Sequence, residues 1–144
     1  AEAEPELDLV FGRVAFISQE GKILRYWGHG WDWNRMRKAQ VVAHSGMLHN
    51  RRLFDDHGLF GVEYTIAGDY EFLLRLGSGA KTAFLNDVMV LMGADGASRS
   101  DLGKCLREVR TIQAKHPDIG PIRAQINYAI AHIKAKVRHC LGIF

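Results

Sequence analysis

The chain has 144 residues, 47% apolar and 24% charged, with a net charge of +3; that length suits one domain with a real core, and the composition excludes a disordered chain. No stretch approaches the roughly 18 uninterrupted apolar residues of a membrane span, and the acidic start (Glu2, Glu4, Glu6, Asp8) is the reverse of a secretory signal. Cys105 and Cys140 form no metal-binding spacing, so a reduced cytosolic protein with two structural thiols is the simplest reading.

Residues 9–19 (LVFGRVAFISQ) are β-branched and aromatic, and Glu20-Gly21-Lys22 turns the chain into residues 23–27, which predicts a β-hairpin. Residues 28–34, GHGWDWN, form an aromatic loop. A short turn of helix is expected within 35–43 and a strand over 46–49. Asn50 is the candidate N-cap of a helix over 51–57 with Gly58 as its left-handed stop. Leu53 and Phe54 would face inward, and Arg51, Arg52, Asp55 and Asp56 outward. A second helix, 69–76, has Tyr70, Leu73 and Leu74 as its apolar stripe and ends at Gly77 and Gly79.

Short strands are expected at 81–85 and 88–92, on either side of Asn86-Asp87, followed by a glycine loop at 93–98. Ser100 can cap a third helix over 101–115, which stops at His116-Pro117. In the last helix, about 121–141, Ile122, Ile126, Ile130, Ile133, Val137 and Leu141 make one continuous stripe. With no internal repeat or linker, the reading is one α/β domain. Its charge is uneven. Residues 1–103 carry 11 Lys+Arg against 14 Asp+Glu, and residues 104–144 carry 8 against 2. The basic C-terminal arm suits an anionic partner or a membrane surface, and equally a solvated helix face.

Several groups could carry chemistry. Asp69 stands in the first turn of its helix, where a carboxylate ordinarily caps and favours the helix dipole. Fixed at the edge of a cleft, the same group could accept a proton from an attacking oxygen. His44, Ser45 and Gly46 follow an apolar run, in which a lone histidine is commonly structural. Trp27, Trp31 and Trp33, with Tyr26 and His29, are core residues or a stacking surface for sugar rings; Arg35, Arg37 and Lys38 beside them could meet a diphosphate. His49 and His57 read as structural or exposed. No HxH, HExxH, GxGxxG or Walker loop is present.

A histidine turn, an Arg-rich helix, a Gly-Leu-Phe exit and the start Gly68-Asp69-Tyr70-Glu71-Phe72, continued by Leu73-Leu74-Arg75-Leu76, follow one another in residues 43–76. That order resembles the acceptor half of family-2 glycosyltransferases, inverting enzymes of the GT-A fold. The resemblance spans about residues 7–100. It implies a partial GT-A fold over 1–100, a short mixed sheet with a β-hairpin packed by helices; residues 101–144 lie outside the resemblance and are expected to form a helical amphipathic arm packed on it. It also implies Asp69 as general base, with His44, Ser45, Gly68, Glu71, Trp31 and Trp33 on the acceptor side. Many relatives have Glu where this chain has Gly68. Gly93, Gly96 and Ser98 resemble the Gly-Gly-x-Ser loop that closes the acceptor half, here with Ala94 and Asp95 inserted.

A nucleotide-sugar donor, a saccharide or lipid-linked acceptor and a divalent metal (Mn or Mg) held by Asp-x-Asp are what the resemblance implies. No Asp-x-Asp occurs, and the matching donor half is not in this sequence. The expected setting is cell-surface polysaccharide synthesis in the cytoplasm, with peripheral contact at the inner membrane face through the last helix. The alternative is a non-catalytic truncated fragment or partner subunit. A nucleic-acid-binding module ranks third, because no helix-turn-helix, zinc or RNP signature accompanies the basic arm.

Overall fold

The computed structural model describes residues 6–93 and 101–141. The hairpin forms as expected. Strand β1, Leu9–Ile17, reverses through residues 18–22 into β2, Ile23–Trp27, with Val14 opposite Trp27 and Phe16 opposite Arg25. β1 is the spine of a four-stranded mixed sheet. One of its edges takes β3, Leu48–His49, and then β2, both antiparallel. The other takes β4, Thr82–Gly93, in parallel and along its whole length. The protein is α/β with a small mixed sheet.

β4 replaces the two short strands expected at 81–85 and 88–92. Between the Phe11–Phe84 and Arg13–Val88 pairs, β1 has only Gly12 while β4 has Leu85, Asn86 and Asp87. The polar Asn-Asp pair is therefore absorbed as a bulge and makes no turn. Gly12 leaves the room: a Cβ there would stand 2.5 Å from Met89 Cγ and 2.8 Å from the Asp87 carbonyl oxygen.

Five helices pack around the sheet among the described residues. Helix α1, Trp33–Met36, is capped by Asp32, which accepts from the Arg35 N–H at 3.1 Å. Helix α2, Arg52–His57, has Asn50 at its start, its side-chain oxygen accepting from the Arg52 N–H at 3.1 Å. Arg52, expected outward, turns back to pair with Glu6 and, at 2.7 Å, with Asp8. Helix α3 is Gly68–Leu76, followed by a 3-10 turn at Gly77–Gly79. Helix α4, Leu102–Lys115, is capped by Asp101; Ser100, the expected cap, lies outside the described residues. Helix α5 is Gly120–Cys140.

The core is built around α3. Tyr70, Phe72, Leu73, Leu74 and Leu76 are all buried, two more than the predicted stripe, and join Leu9, Phe11, Met36, Leu53 and Ile112 in one cluster. Each such side chain contributes about 1.5–3 kcal/mol of burial. A polar chain runs through this core. The Tyr70 hydroxyl donates to the Met36 carbonyl at 2.7 Å and accepts from Gln113 Nε2 at 2.8 Å. Gln113, fully buried, accepts from Asn127 Nδ2 at 3.0 Å, and that group also donates to the Arg37 carbonyl at 3.2 Å. Burial pushes the Tyr70 phenol up to about 12 against the bond from Gln113. The chain thus ties α4 and α5 to α1 and α3, and its donors and acceptors are matched, as buried polar groups require.

α5 turns the reverse of its apolar side to the protein. Ala124, Asn127, Tyr128, Ala131 and Ala135 form its covered face, whereas the isoleucine stripe is exposed. Among the described residues no helix is long and apolar enough to cross a membrane.

Candidate functional site

The His44 turn is shaped by Gly46. The Met47 N–H donates to the His44 carbonyl at 3.0 Å, and Gly46 at the third position has φ +77°. A side chain is disfavoured there on two counts: the positive φ, and a Cβ that would sit 2.6 Å from Val90 Cγ2 on β4. The turn is thereby pressed onto the sheet, with the His44 ring packed 5.1 Å from His49 and edge-on to Phe60 at 5.5 Å. His49 lies among Phe54, Phe60 and Phe72. Burial and then the neighbouring His44 hold its pKa below the ordinary histidine value, against a hydrogen bond with the Met47 backbone.

Asp69 lies one residue inside α3 and is half-buried. Its Oδ1 accepts from the Tyr70 N–H at 2.8 Å, and its Oδ2 accepts from Gln40 Nε2 at 2.9 Å. An ionised carboxylate has about four acceptor sites, so both oxygens keep capacity after these two bonds. Asp69 is thus only part of the helix cap. Glu108 of α4 holds the segment that leads into the helix and the N–H of its cap residue, Ala67. One of its oxygens accepts from the Thr65 N–H (3.2 Å) and hydroxyl (2.9 Å), the other from the Ile66 and Ala67 N–H groups, both at 2.9 Å. Burial raises the Glu108 pKa, but those backbone and hydroxyl bonds outweigh it and hold the carboxyl at about 2.

These elements enclose a cleft of about 460 Å³ lined by Arg25, Trp27, Gln40, His44, Ser45 and Asp69. The Arg25 guanidinium lies over the Phe16 ring at 4.6 Å. Thr65, Ile66 and Ala67 complete the wall on the α3 side, with Cys105 and Val109 of α4. Burial, then the nearby Asp69, Glu108 and Asp101 carboxylates, raise the Cys105 pKa and keep it a thiol.

Of the residues expected to form a site, Asp69, His44 and Ser45 are brought together. Glu71 is not. Two positions along a helix is about 200° of rotation, so Glu71 points to a separate cleft and pairs with Arg75 at 2.9 Å. Gly68 opens α3, where a Cβ would stand 3.5 Å from the Gly61 carbonyl oxygen, and is not part of the cleft lining. Trp31 and Trp33 pack on the core, Trp33 edge-on to His116 at 5.6 Å, and neither lines the cleft. Trp27 supplies the indole instead. Gly93 ends β4 next to the cleft residue Met92; Gly96 and Ser98 lie outside the described residues.

Arg25, Gln40 and Glu108 were absent from the sequence-derived set. Arg25 and Trp27 share one face of β2 by the two-residue strand period, and Glu108 is one of only two acids in residues 104–144; nothing in the sequence marks Gln40. The cleft has the size of a small-molecule site. It combines a carboxylate, an imidazole, a hydroxyl, a guanidinium and an indole, groups suited to a polar ring-shaped ligand and to proton transfer. Among the described residues no group of three or more His, Cys, Asp or Glu side chains is placed to hold a metal ion. Neither a protein-family model nor a curated protein matches this chain.

Proposed function

We propose that this chain supplies the acceptor side of an inverting glycosyl transfer, as a GT-A-like half similar to family-2 glycosyltransferases, with Asp69 as the base. The supporting observation is the convergence of Asp69, His44 and Ser45 on one cleft with Trp27. An acceptor sugar packs a C–H face on the indole, and its other hydroxyls bond to His44 and Ser45. An Asp69 oxygen takes the proton of the reacting hydroxyl. The hydroxyl oxygen forms its bond to the anomeric carbon of a nucleotide-sugar as the carbon–oxygen bond to the diphosphate breaks. The nucleoside diphosphate leaves from the opposite face, and the configuration inverts. Gln40 fixes the carboxylate in the orientation this attack needs.

Among the described residues no set of His, Cys, Asp or Glu side chains fits the divalent metal that the resemblance implies, so no step is routed through one. The nucleotide-sugar site belongs to another polypeptide segment. The acceptor is a saccharide or lipid-linked saccharide of cell-surface polysaccharide synthesis, met in the cytoplasm at the inner membrane face.

Two measurements test this. Saccharide acceptors titrated into the isolated chain should shift the amide resonances of residues 44–45, 65–69 and 27; shifts confined to other surfaces overturn the acceptor site. Joined to the donor-binding segment, the wild type should transfer sugar from a nucleotide-sugar and Asp69→Asn should not. Saccharide binding without transfer by the wild type would assign the chain to a non-catalytic partner subunit.

A further inference from the structure

We propose that helix α5 is a docking surface for an anionic phospholipid bilayer, lying in the headgroup plane with its isoleucine stripe toward the acyl chains. This stands independently of the glycosyl-transfer reading. The first observation is the stripe: Ile122, Ile126, Ile130, Ile133, Val137 and Leu141 are 78%, 53%, 45%, 62%, 50% and 64% exposed. A row of aliphatic side chains along a 21-residue helix is the apolar half of an interfacial helix. The stripe is held in place. At about 100° per residue, its centre lies about 150° around the helix from the covered face of Ala124, Asn127, Tyr128 and Ala131. Asn127 anchors that face through Gln113 and the Arg37 carbonyl.

Charge decides the occupant. From Ile119 to Leu141 the chain has four cations, Arg123, Lys134, Lys136 and Arg138, and no Asp or Glu. On the same helical projection Lys136 flanks one side of the stripe, and Arg123 and Lys134 flank the other. Long basic side chains in those positions lay their stems on apolar surface and reach headgroup phosphates with their tips. A second copy of the helix would set cations against cations with no acid between them, so self-association is disfavoured.

The stripe also runs into a basic cleft. At its N-terminal end a cavity of about 220 Å³ is lined by Arg37, Lys38, Arg123, Asp118, Asn127 and Ile126. Arg37 donates to Asn34 Oδ1 at 2.6 Å through Nη2, while its Nε is buried and has no hydrogen-bond partner among the described residues. Three cations against one carboxylate give a lipid phosphate a place to sit beside Ile126.

The test is co-sedimentation of the whole chain with vesicles of phosphatidylcholine alone and of equal parts phosphatidylcholine and phosphatidylglycerol. The wild type should pellet with the anionic vesicles, less so as ionic strength rises. Lys134→Gln with Lys136→Gln should weaken that binding roughly thirtyfold, and Ile130→Asp with Ile133→Asp should weaken it at least as much. These side chains are exposed, so unchanged circular dichroism will show that the variants are folded. Failure of the wild type to pellet, equal partition into both vesicle types, or undiminished binding by either variant overturns the proposal. So does a dimer in sedimentation velocity that Ile130→Asp with Ile133→Asp dissociates, because that assigns the stripe to a second copy.

Discussion

Replacing Glu108 by alanine should loosen the start of α3 and with it the wall of the cleft. The substitution removes the acceptors for the Thr65, Ile66 and Ala67 N–H groups and for the Thr65 hydroxyl. Thr65 is exposed and water can replace its partner, but Ala67 is buried and Ile66 half-buried. Leaving a buried donor unpaired costs about 1–3 kcal/mol, so these two together should cost about 2–3 kcal/mol. In a domain of this size that lowers Tm by about 8 °C. Glu108→Gln, which keeps one carbonyl acceptor, should cost about half as much.

The pH dependence has a definite sign. The folded carboxyl sits at about 2 against an ordinary 4.5. Its stabilisation is therefore fully present above the unfolded value and is lost as pH falls from about 4.5 to about 2. Thermal melts followed by circular dichroism across that range should show the wild type losing an increment that Glu108→Gln lacks. A Glu108→Ala melting point indistinguishable from wild type at neutral pH, or parallel acid profiles for wild type and Glu108→Gln, would refute the capping account.

Asp69→Asn should leave the melting curve near wild type while lowering transfer, in the joined system, by about 10²–10⁴-fold; near-normal turnover removes Asp69 from the mechanism. Gly12→Ala forces a methyl group against Met89 and the Asp87 carbonyl, and should destabilise by about 1–3 kcal/mol in urea titration; an unchanged midpoint would mean that the β4 bulge is misplaced. His49 is held below its ordinary value, so its neutral form favours the folded state. That contribution is present above the ordinary histidine value of 6.5 and is lost as pH falls below it. His49→Phe should flatten the fall in urea midpoint on mild acidification, and equal slopes in the two proteins would refute the assignment.

The features legible in the sequence were those set by local patterns. The β1–β2 hairpin follows from two β-branched runs around Glu20-Gly21-Lys22, and α3 from apolar spacing closed by Gly77. What failed depended on a distant partner. Asn86-Asp87 has turn chemistry, but its fate is decided by Gly12, which gives β4 room to bulge and continue. The period of α5 reveals that one side is apolar and says nothing about which side meets the protein; small residues opposite the stripe allow the closer approach to α4. Trp31 and Trp33 cluster with Trp27 in sequence, yet Asp32 caps α1 between them and their rings pack on the core. Asp69, His44 and Ser45, which a motif marks, line one cleft, while Gln40 and Glu108, which bond to Asp69 and to the approach to its helix, belong to no motif.

The placement of Asp69 is consequently a property of the whole chain. The cleft takes Arg25 and Trp27 from β2, His44 from a turn pressed on β4, Asp69 from α3, and Cys105 and Val109 from α4. Glu108 fixes the N-terminal approach to α3, and the Tyr70–Gln113–Asn127 chain fixes its inner face to α4 and α5. Residues 101–141 therefore form part of the cleft wall and hold its carboxylate-bearing helix. A truncation after residue 100 would strip the wall and both tethers at once, leaving the Ala67 N–H without its partner and the Tyr70 hydroxyl with the Met36 carbonyl alone. Loss of saccharide binding in such a fragment would say nothing about Asp69 itself. The single-residue changes at Glu108 and Asp69 separate the two, because one moves the helix and the other alters only the carboxylate.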